Sequence, residues 1–303
     1  MKRIVTVLFA AAILAALVVV LWPAKAPGPQ CLVGGTMTPL FHDLAEAYWA
    51  SLSDKDKQSG ALGKVEISSG DSGELMARIE MGQQGDLYVA HDPFMDQCVQ
   101  RKLGTDVWTV GELVPVLVVQ KGNPKKIASL ADLQRPDVRV YLTDYEHSTM
   151  GWLLPTIFSR GGVDFAKLNE TKKIPTHRSG SWVANQVIMN QADAAIVWQA
   201  VAALRSKDLD VINIDAALPR PGVDAITSAS GKSYYLTPVK VGLVLLASSK
   251  RREQALKFVE FVRSDAAKPI FLKHSFKVSD IFGRAEYVKG VKVAPASQPQ
   301  SAP

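Results

Sequence analysis

Four segments of this 303-residue chain combine small hydroxyl-bearing residues and glycine directly ahead of a predicted helix. Each one follows a short apolar run, and the segments are residues 34–39, 68–74, 148–151 and 179–181. The first N–H groups of a helix have no partner inside the helix and lie at the positive end of its dipole. Serine and threonine add hydroxyl donors, and glycine lets a ligand approach the backbone closely. Four such helix starts that faced one another would form an uncharged cage of hydrogen-bond donors for an anion.

Ordinary helix capping is the competing explanation for each of these segments. Thr38 and Pro39, for example, supply a capping hydroxyl and a proline suited to the first helical turn. For one junction taken alone, capping is the better explanation. The recurrence at four junctions keeps ligand binding open as an equally good one.

The segments around these junctions alternate short apolar strands with helices of about ten residues, a pattern typical of α/β proteins. The predicted strands are residues 31–34, 65–68, 87–90, 113–120, 138–142, 194–198, 211–214 and, as one long or broken strand, 234–247. The predicted helices are residues 39–51, 73–81, 93–102, 150–160, 182–190 and 252–264. In open α/β sheets such strand-to-helix junctions lie at the carboxyl ends of the strands, where ligands bind.

Two long strand segments separate two βα regions, which predicts two lobes joined by two crossovers. We assign residues 31–115 and 240–290 to lobe 1 and residues 116–239 to lobe 2, with the ligand cleft between them. Pro115 cannot donate a backbone hydrogen bond, so its strand is expected at a sheet edge or in a crossing segment.

The N-terminus predicts export from the cytoplasm. Lys2 and Arg3 precede an apolar run over residues 4–22, and this order of charges places the rest of the chain outside. The run is long for a signal-peptide core and about right for a transmembrane span. Residues 1–30 are therefore either a signal peptide or a membrane anchor followed by a stiff linker, and the protein is expected in the periplasm or at the cell exterior. Residues 291–303, rich in Ala, Ser, Gln and Pro, predict a disordered tail.

Charge and cysteine content argue against several other classes of protein. The formal net charge is +6, but no dense basic patch with interleaved aromatic residues supports nucleic-acid binding. Cys31 and Cys98 permit one disulfide outside the cytoplasm, with two buried thiols as the alternative. The sequence has no CxxC pair or Cys/His cluster to support a metal-cation site, and no cofactor is expected.

Three stretches of the chain resemble the periplasmic molybdate-binding proteins of ABC importers. Residues 72–96 are similar to the family's Ser-rich turn, its helix with an Arg-x-Ile-Glu-like core, its Gly-x-x-x-Asp strand and its Asp followed shortly by Met-Asp. Residues 144–151 are similar to its Asp-Pro-Glu-His loop, and residues 192–198 to its Ala-x-x-Gly-Ile-Val-Tyr strand. The similarity runs from about residue 31 to about residue 202.

This resemblance implies a class II periplasmic-binding-protein fold, with two mixed sheets flanked by helices and a ligand cleft between two lobes. It also implies capture of a tetrahedral oxyanion, molybdate or tungstate, for delivery to an ABC permease, without catalysis; we expect a monomer. Carried over by position, the ligand-binding residues are Thr36, Ser72, Met150, Gly180, Ser181 and Trp198. These residues would hold the anion through hydroxyl and N–H groups, without a counter-charge.

The chain departs from the family at two positions that affect the ligand. Trp198 replaces the ligand-binding tyrosine, and an indole donates one hydrogen bond but accepts none. Asp71 lies beside Ser72 and would repel an anion if its side chain pointed inward. The alternatives are therefore another small anion, such as sulfate, phosphate or an organic anion, and a membrane-tethered ligand sensor.

Other chemistry-bearing side chains remain open to two interpretations. Residues 70–73 also resemble the nucleophile segment of trypsin-like proteases, but that chemistry needs a histidine and an aspartate in a β-barrel, so we expect no enzyme. His91, His147 and His177 lie near strand ends and could line the cleft or the surface. Arg178 could reach an anion or remain a solvated cation.

Overall fold

Two β-sheets form the framework of the protein in a computed structural model that describes residues 27–59, 62–228, 231, 233–234 and 238–278. The strands of this described part are β1 (Gln30–Gly34), β2 (Glu66–Gly70), β3 (Leu87–His91), β4 (Gly104–Leu113), β5 (Pro115–Gln120), β6 (Val140–Thr143), β7 (Thr176–His177), β8 (Ala194–Trp198), β9 (Leu209–Ile212), β10 (Ile226–Thr227), β11 (Ser233–Tyr234), β12 (Val239–Leu246) and β13 (Lys277–Val278).

Both large sheets mix parallel and antiparallel pairs. The first has the strand order β13-β4-β12-β3-β1-β2, in which β1 runs parallel to β2 and β3 while β12 runs antiparallel to β3 and β4. The second has the order β7-β6-β8-β5-β9, in which β6 runs parallel to β7 and β8 while β5 runs antiparallel to β8 and β9. In both sheets the parallel strands come from βα units, so their carboxyl ends lie beside helix starts.

Helices connect and cover these strands. Among the described residues they are α1 (Thr38–Ser51), α2 (Asp54–Ser59), α3 (Ser72–Glu80), α4 (Phe94–Gln100), α5 (Thr149–Arg160), α6 (Phe165–Lys172), α7 (Gly180–Ile188), α8 (Gln199–Ala203), α9 (Arg252–Val262) and α10 (Lys268–Lys273). Short 3₁₀ helices lie at Gly35–Met37, Leu130–Gln134 and Asp215–Ala217. The predicted α/β class with two mixed sheets flanked by helices is therefore confirmed.

Alternation along the strands divides the core into two hydrophobic clusters. In β1, Cys31 and Val33 belong to the larger cluster, whereas Leu32 between them belongs to the smaller one. Successive side chains of a strand point to opposite faces, so the clusters lie on opposite faces of the first sheet. Cys98 packs in the smaller cluster, and both cysteines are free and buried. The possible disulfide is thus absent, and burial raises the pKa of Cys98 to about 12.

The chain crosses between the sheets at two neighbouring points. It leaves β4 at Leu113 and enters β5 at Pro115, and on its return it starts β12 at Val239, which is the register partner of Leu113. Pro115 lies at a crossing between the sheets, which is one of the two positions predicted for it. Its strand is nevertheless internal, because β5 pairs with both β8 and β9; Pro115 is tolerated as the first residue, opposite Trp198 of β8 only.

The N-terminal apolar run at residues 4–22 and the predicted tail at residues 291–303 lie outside the described residues. In the part of the chain that the structure describes, no helix is long and apolar enough to cross a membrane. The two predicted lobes and their boundaries stay a prediction.

Candidate functional site

Several helix starts and strand ends meet at one cavity between the two sheets. The cavity has a volume of about 270 Å³. One wall comes from the carboxyl ends of β1, β2 and β3, and the facing wall comes from those of β6, β7 and β8. The starts of α3, α5 and α7 lie on these walls, together with the short 3₁₀ helix that leads from β1 into α1.

The structure brings all of the sequence-predicted site residues together at this cavity. Its lining includes Thr36, Ser72, Met150, Gly180, Ser181 and Trp198. The first two belong to the first-sheet wall and the other four to the second-sheet wall. That these residues contact a ligand stays a prediction.

Ser72 is held at the first wall by a close approach of β1. The residue is 4% exposed, and a Cβ added to Gly34 would lie only 2.4 Å from Ser72 Oγ. The hydroxyl of Tyr88 donates to the backbone oxygen of Ser72 at 2.6 Å. Only glycine at position 34 leaves room for the Ser72 hydroxyl, so the first junction shapes the second.

Asp71 caps α3 and places a negative charge at the cavity wall. Its Oδ1 accepts from the N–H groups of Gly73 at 2.9 Å and Glu74 at 3.2 Å. These N–H groups therefore face a carboxylate of the protein rather than a ligand. At the start of α3, Ser72 is therefore the cavity-lining residue that can still offer a hydrogen-bond donor.

The second wall uses hydroxyl caps instead. Ser148 Oγ accepts from Gly151 N at 2.9 Å, and Ser179 Oγ accepts from Trp182 N at 3.3 Å. The cavity-lining N–H groups of these first turns that make no hydrogen bond to a described residue are those of Thr149, Met150, Gly180 and Ser181. They supply donors without any nearby carboxylate cap, so this wall is the more favourable one for an anion.

Asp144 fixes the loop ahead of α5. Its Oδ1 accepts from the N–H groups of Glu146 and His147, each at 2.8 Å. Burial opposes ionisation of Asp144, but these hydrogen bonds and His147 lower its pKa overall. A Cβ added to Gly151 would lie 2.0 Å from the Asp144 carbonyl oxygen, so the helix start needs glycine to pack on this loop.

Aromatic rings close the cavity around Trp198. The residue is 5% exposed, and its ring lies 6.2 Å from that of His91, which in turn lies 5.6 Å from Phe94. The indole N–H of Trp198 makes no hydrogen bond to any residue in the described ranges. The indole therefore retains one donor that no described residue uses.

Sequence reasoning missed Thr143, the last residue of β6. It lines the cavity, is 2% exposed, and its hydroxyl oxygen has no hydrogen-bond partner among the described residues. A buried hydroxyl without a partner costs free energy, so it is a further polar group that a ligand or water could satisfy. One threonine at a strand end carries no sequence signal that would distinguish it from a packing residue.

A second cavity of about 740 Å³ adjoins the first. The two share Asp71, Phe94, His147 and Arg178, and the second is also lined by Glu74. Arg178 is exposed, makes no ion pair with a described residue and lines both cavities, so both of its predicted roles stay open. No group of three or more His, Cys, Asp or Glu side chains among the described residues is arranged to hold a metal ion.

Residues 30–277 match the protein family described as "Bacterial extracellular solute-binding protein". No curated protein sequence matches the chain significantly. The solved substrate-binding domain of a putative molybdenum ABC transporter from Clostridium difficile is 18% identical, with a TM-score of 0.60, and the match covers 84% of this chain and 99% of that one.

Two further solved structures show how varied the ligands of this fold are. The sulfate-binding protein SubI from Mycobacterium tuberculosis is 19% identical, with a TM-score of 0.61 and coverage of 84% of this chain and 88% of its own. The periplasmic molybdate-binding protein of Azotobacter vinelandii is 19% identical, with a TM-score of 0.59 and coverage of 82% and 99%. At these identities the similarity shows the fold alone.

Proposed function

We propose that this chain, which belongs to the bacterial extracellular solute-binding protein family, captures a tetrahedral oxyanion and delivers it to an ABC permease. The observation that carries the proposal is the convergence of hydroxyl and unbonded N–H donors from both walls of one cavity. Backbone N–H groups at helix starts bind anions without a formal counter-charge. Binding is reversible, and no covalent step is involved.

Molybdate and tungstate are the ligands that we propose first. The positions that the sequence resemblance assigns to the ligand all line the same cavity, which supports this choice. Trp198, at the family's tyrosine position, offers one donor and no acceptor, which suits a fully deprotonated anion. The two oxyanions are nearly the same size, so one site would accept both.

Other small anions form the second candidate class, and two observations favour them. The Asp71 carboxylate lies on the cavity wall, where it would repel a dianion such as molybdate. Arg178 lies where the inner cavity meets the 740 Å³ outer one. The outer cavity leaves room for an organic substituent, and Arg178 could pair with a second negative group. Sulfate, phosphate and small organic anions therefore belong in the same binding assay.

In this proposal residues 31–115 with 240–290 form one lobe and residues 116–239 the other. The lobes close on the ligand, and the closed form presents a surface to the permease. The protein acts as a monomer in the periplasm or at the cell exterior, and residues 4–22 either are removed or tether it to the membrane. A tethered sensor would bind the same ligand, and restored uptake in a strain lacking the protein separates transport from sensing.

The first test is calorimetry and thermal unfolding of the purified protein with molybdate, tungstate, sulfate and phosphate. A ligand at 100 times its dissociation constant should stabilise the native state by about 2.7 kcal/mol. Stabilisation by none of the four anions would exclude the oxyanion proposal.

A pair of serine variants tests the site itself. Ser72→Ala removes a hydroxyl that lines the cavity and should weaken binding by roughly ten- to a hundredfold, the effect of one hydrogen bond to a charged ligand. Ser69→Ala is the matched control, because Ser69 Oγ bonds Thr38 Oγ1 at 2.7 Å and does not line the cavity. Equal affinities for the two variants would refute the assignment of Ser72.

A further inference from the structure

His91 ends β3 with its ring on the wall of the oxyanion cavity. Its ring contacts are Phe94 on its own side and Trp198 on the facing wall. Neither ring offers His91 a hydrogen-bond acceptor in its plane. The imidazole thus lies among apolar surfaces at a place where a ligand would replace water.

A single hydrogen bond fixes which nitrogen of His91 carries the proton. Nδ1 lies 2.8 Å from the carbonyl oxygen of Asp92. A carbonyl oxygen can only accept, so Nδ1 must carry the hydrogen in the neutral ring. Nε2 of the neutral ring is consequently a bare acceptor. It has no hydrogen-bond partner among the described residues, and it is not closed off from the cavity.

The other two histidines of the cavity differ from His91, one in its proton position and the other in its surroundings. His177 Nδ1 accepts from the N–H of Ser179 at 3.0 Å, so its neutral ring carries the proton on Nε2 and already offers a donor. His147 Nδ1 lies 3.2 Å from the Asp144 carboxylate, which accepts, so its neutral ring also leaves Nε2 bare; His147 is exposed, however, and does not pack among aromatic rings as His91 does. Of the histidines in the described residues, only His91 has both a bare Nε2 and a place on this apolar wall.

We propose that His91 is a ligand-contacting residue whose Nε2 faces the bound oxyanion. A fully deprotonated oxyanion then binds with uptake of one proton, whereas an oxyanion that already carries a proton binds without uptake. In the first case a proton from solvent adds to Nε2, and the imidazolium donates to a ligand oxygen. In the second case the ligand's own O–H donates to Nε2. The inference rests on the proposed oxyanion function and adds the rule by which the site discriminates among oxyanions.

The charges around His91 agree with a neutral ring in the ligand-free protein. Burial lowers the pKa of His91, and the hydrogen bond to the Asp92 carbonyl and the negative charge of Asp71 oppose this only in part. The Asp92 carboxylate accepts from Lys240 N at 2.9 Å, which directs it into the sheet. Across the cavity lie His147, His177 and Arg178, of which Arg178 also disfavours a second positive charge. A bound dianion reverses this balance and raises the pKa of His91.

The test measures protons taken up on binding. Sulfate and hydrogen phosphate carry the same charge but differ by one proton, and molybdate behaves as sulfate does. Titration calorimetry at about pH 7.5, above the ordinary histidine pKa, in buffers with different ionisation enthalpies gives the number of protons bound. We expect uptake of up to one proton for sulfate or molybdate. Phosphate should show no uptake and a fractional release, because the part that is dihydrogen phosphate at this pH loses a proton when it binds as hydrogen phosphate. The affinity for sulfate should also fall by up to about tenfold per pH unit in this range.

Two variants identify the residue responsible. His91→Gln offers an amide donor that does not titrate, so sulfate should bind without proton uptake and with little pH dependence. His177→Gln is the matched control and should keep the uptake of the unmodified protein. Equal uptake in the His91→Gln variant, or no uptake for sulfate in the unmodified protein, overturns the inference and leaves the oxyanion function intact. Binding of none of the oxyanions overturns both.

Discussion

Removing the charge of Asp71 should tighten the binding of a dianion. The Asp71→Asn substitution keeps an oxygen that can accept from Gly73 N and Glu74 N, which now bond Oδ1 at 2.9 and 3.2 Å. Asparagine is as good an N-cap as aspartate, so α3 should remain capped. The free energy of unfolding should change by less than about 1 kcal/mol, since only the interaction of the charge with the helix dipole is lost.

The expected gain in affinity follows from Coulomb's law. At a separation of roughly 6 Å and an effective dielectric constant of about 40, like charges repel by about 1.4 kcal/mol per unit of ligand charge. A dianion doubles this repulsion, the proton that His91 takes up offsets one of the two units, and screening over a Debye length of about 8 Å halves what is left. The net gain is then about 0.7 kcal/mol, or about threefold tighter binding of molybdate or sulfate.

Titration calorimetry of both proteins with molybdate and sulfate measures this gain. Glu74→Gln is the matched control, because it removes the same charge from a residue that lines only the outer cavity and pairs with Arg78. We expect it to change the affinity by less than about twofold, as for an exposed charge. An Asp71→Asn variant that binds both anions no better than the unmodified protein would refute the placement of this carboxylate against the ligand.

Two further predictions concern the scaffold. Gly151→Ala should destabilise the protein by about 3 kcal/mol in chemical denaturation, because its Cβ would lie 2.0 Å from the Asp144 carbonyl oxygen. Gly180→Ala is the control and should have little effect, because the nearest atom to its Cβ would be 4.0 Å away. Equal losses of stability in the two variants would contradict the packing argument. Asp86 is buried, which opposes its ionisation, but hydrogen bonds from backbone and side-chain donors and the charge of Arg251 lower its pKa overall. The charged Asp86 therefore stabilises the native state above its unfolded-state pKa, and this contribution is lost as the pH falls through its folded-state pKa. Asp86→Asn should lower the free energy of unfolding by about 2 kcal/mol near neutral pH and by less in acid. A loss that does not depend on pH would contradict this assignment.

Elements with strong local signals were predictable from the sequence. The strand at residues 194–198 has the predicted bounds, since its apolar run is buried on both faces. The strand β4 was missed because buried polar residues interrupt its pattern. Thr109 is 1% exposed, and Asp106 pairs with Arg252 at 2.9 Å. That pairing is tertiary, so composition alone could not indicate burial.

The same distinction holds within the candidate site. The helix starts were predictable because capping residues act locally, and their convergence followed from the carboxyl-end rule for open sheets. The unpartnered hydroxyl of Thr143 and the proton position on His91 were not predictable, because each depends on which groups the fold places nearby. Likewise, the sequence placed Asp71 beside the site, but only the structure shows that its carboxylate caps α3 and lies on the cavity wall.

The adjacent crossings between the sheets give the molecule a direction of mechanical compliance. Leu113 and Val239 are paired residues of neighbouring strands, so the two connections leave the first sheet only about 5 Å apart. Rotation about the line through both points bends the two connections alike, whereas rotation about a perpendicular axis would stretch one and compress the other. Rotation about this line is therefore the angle of relative motion that strains the two crossings least. A partner that touches both rims of the cavity could register occupancy from that angle alone, without contacting the ligand.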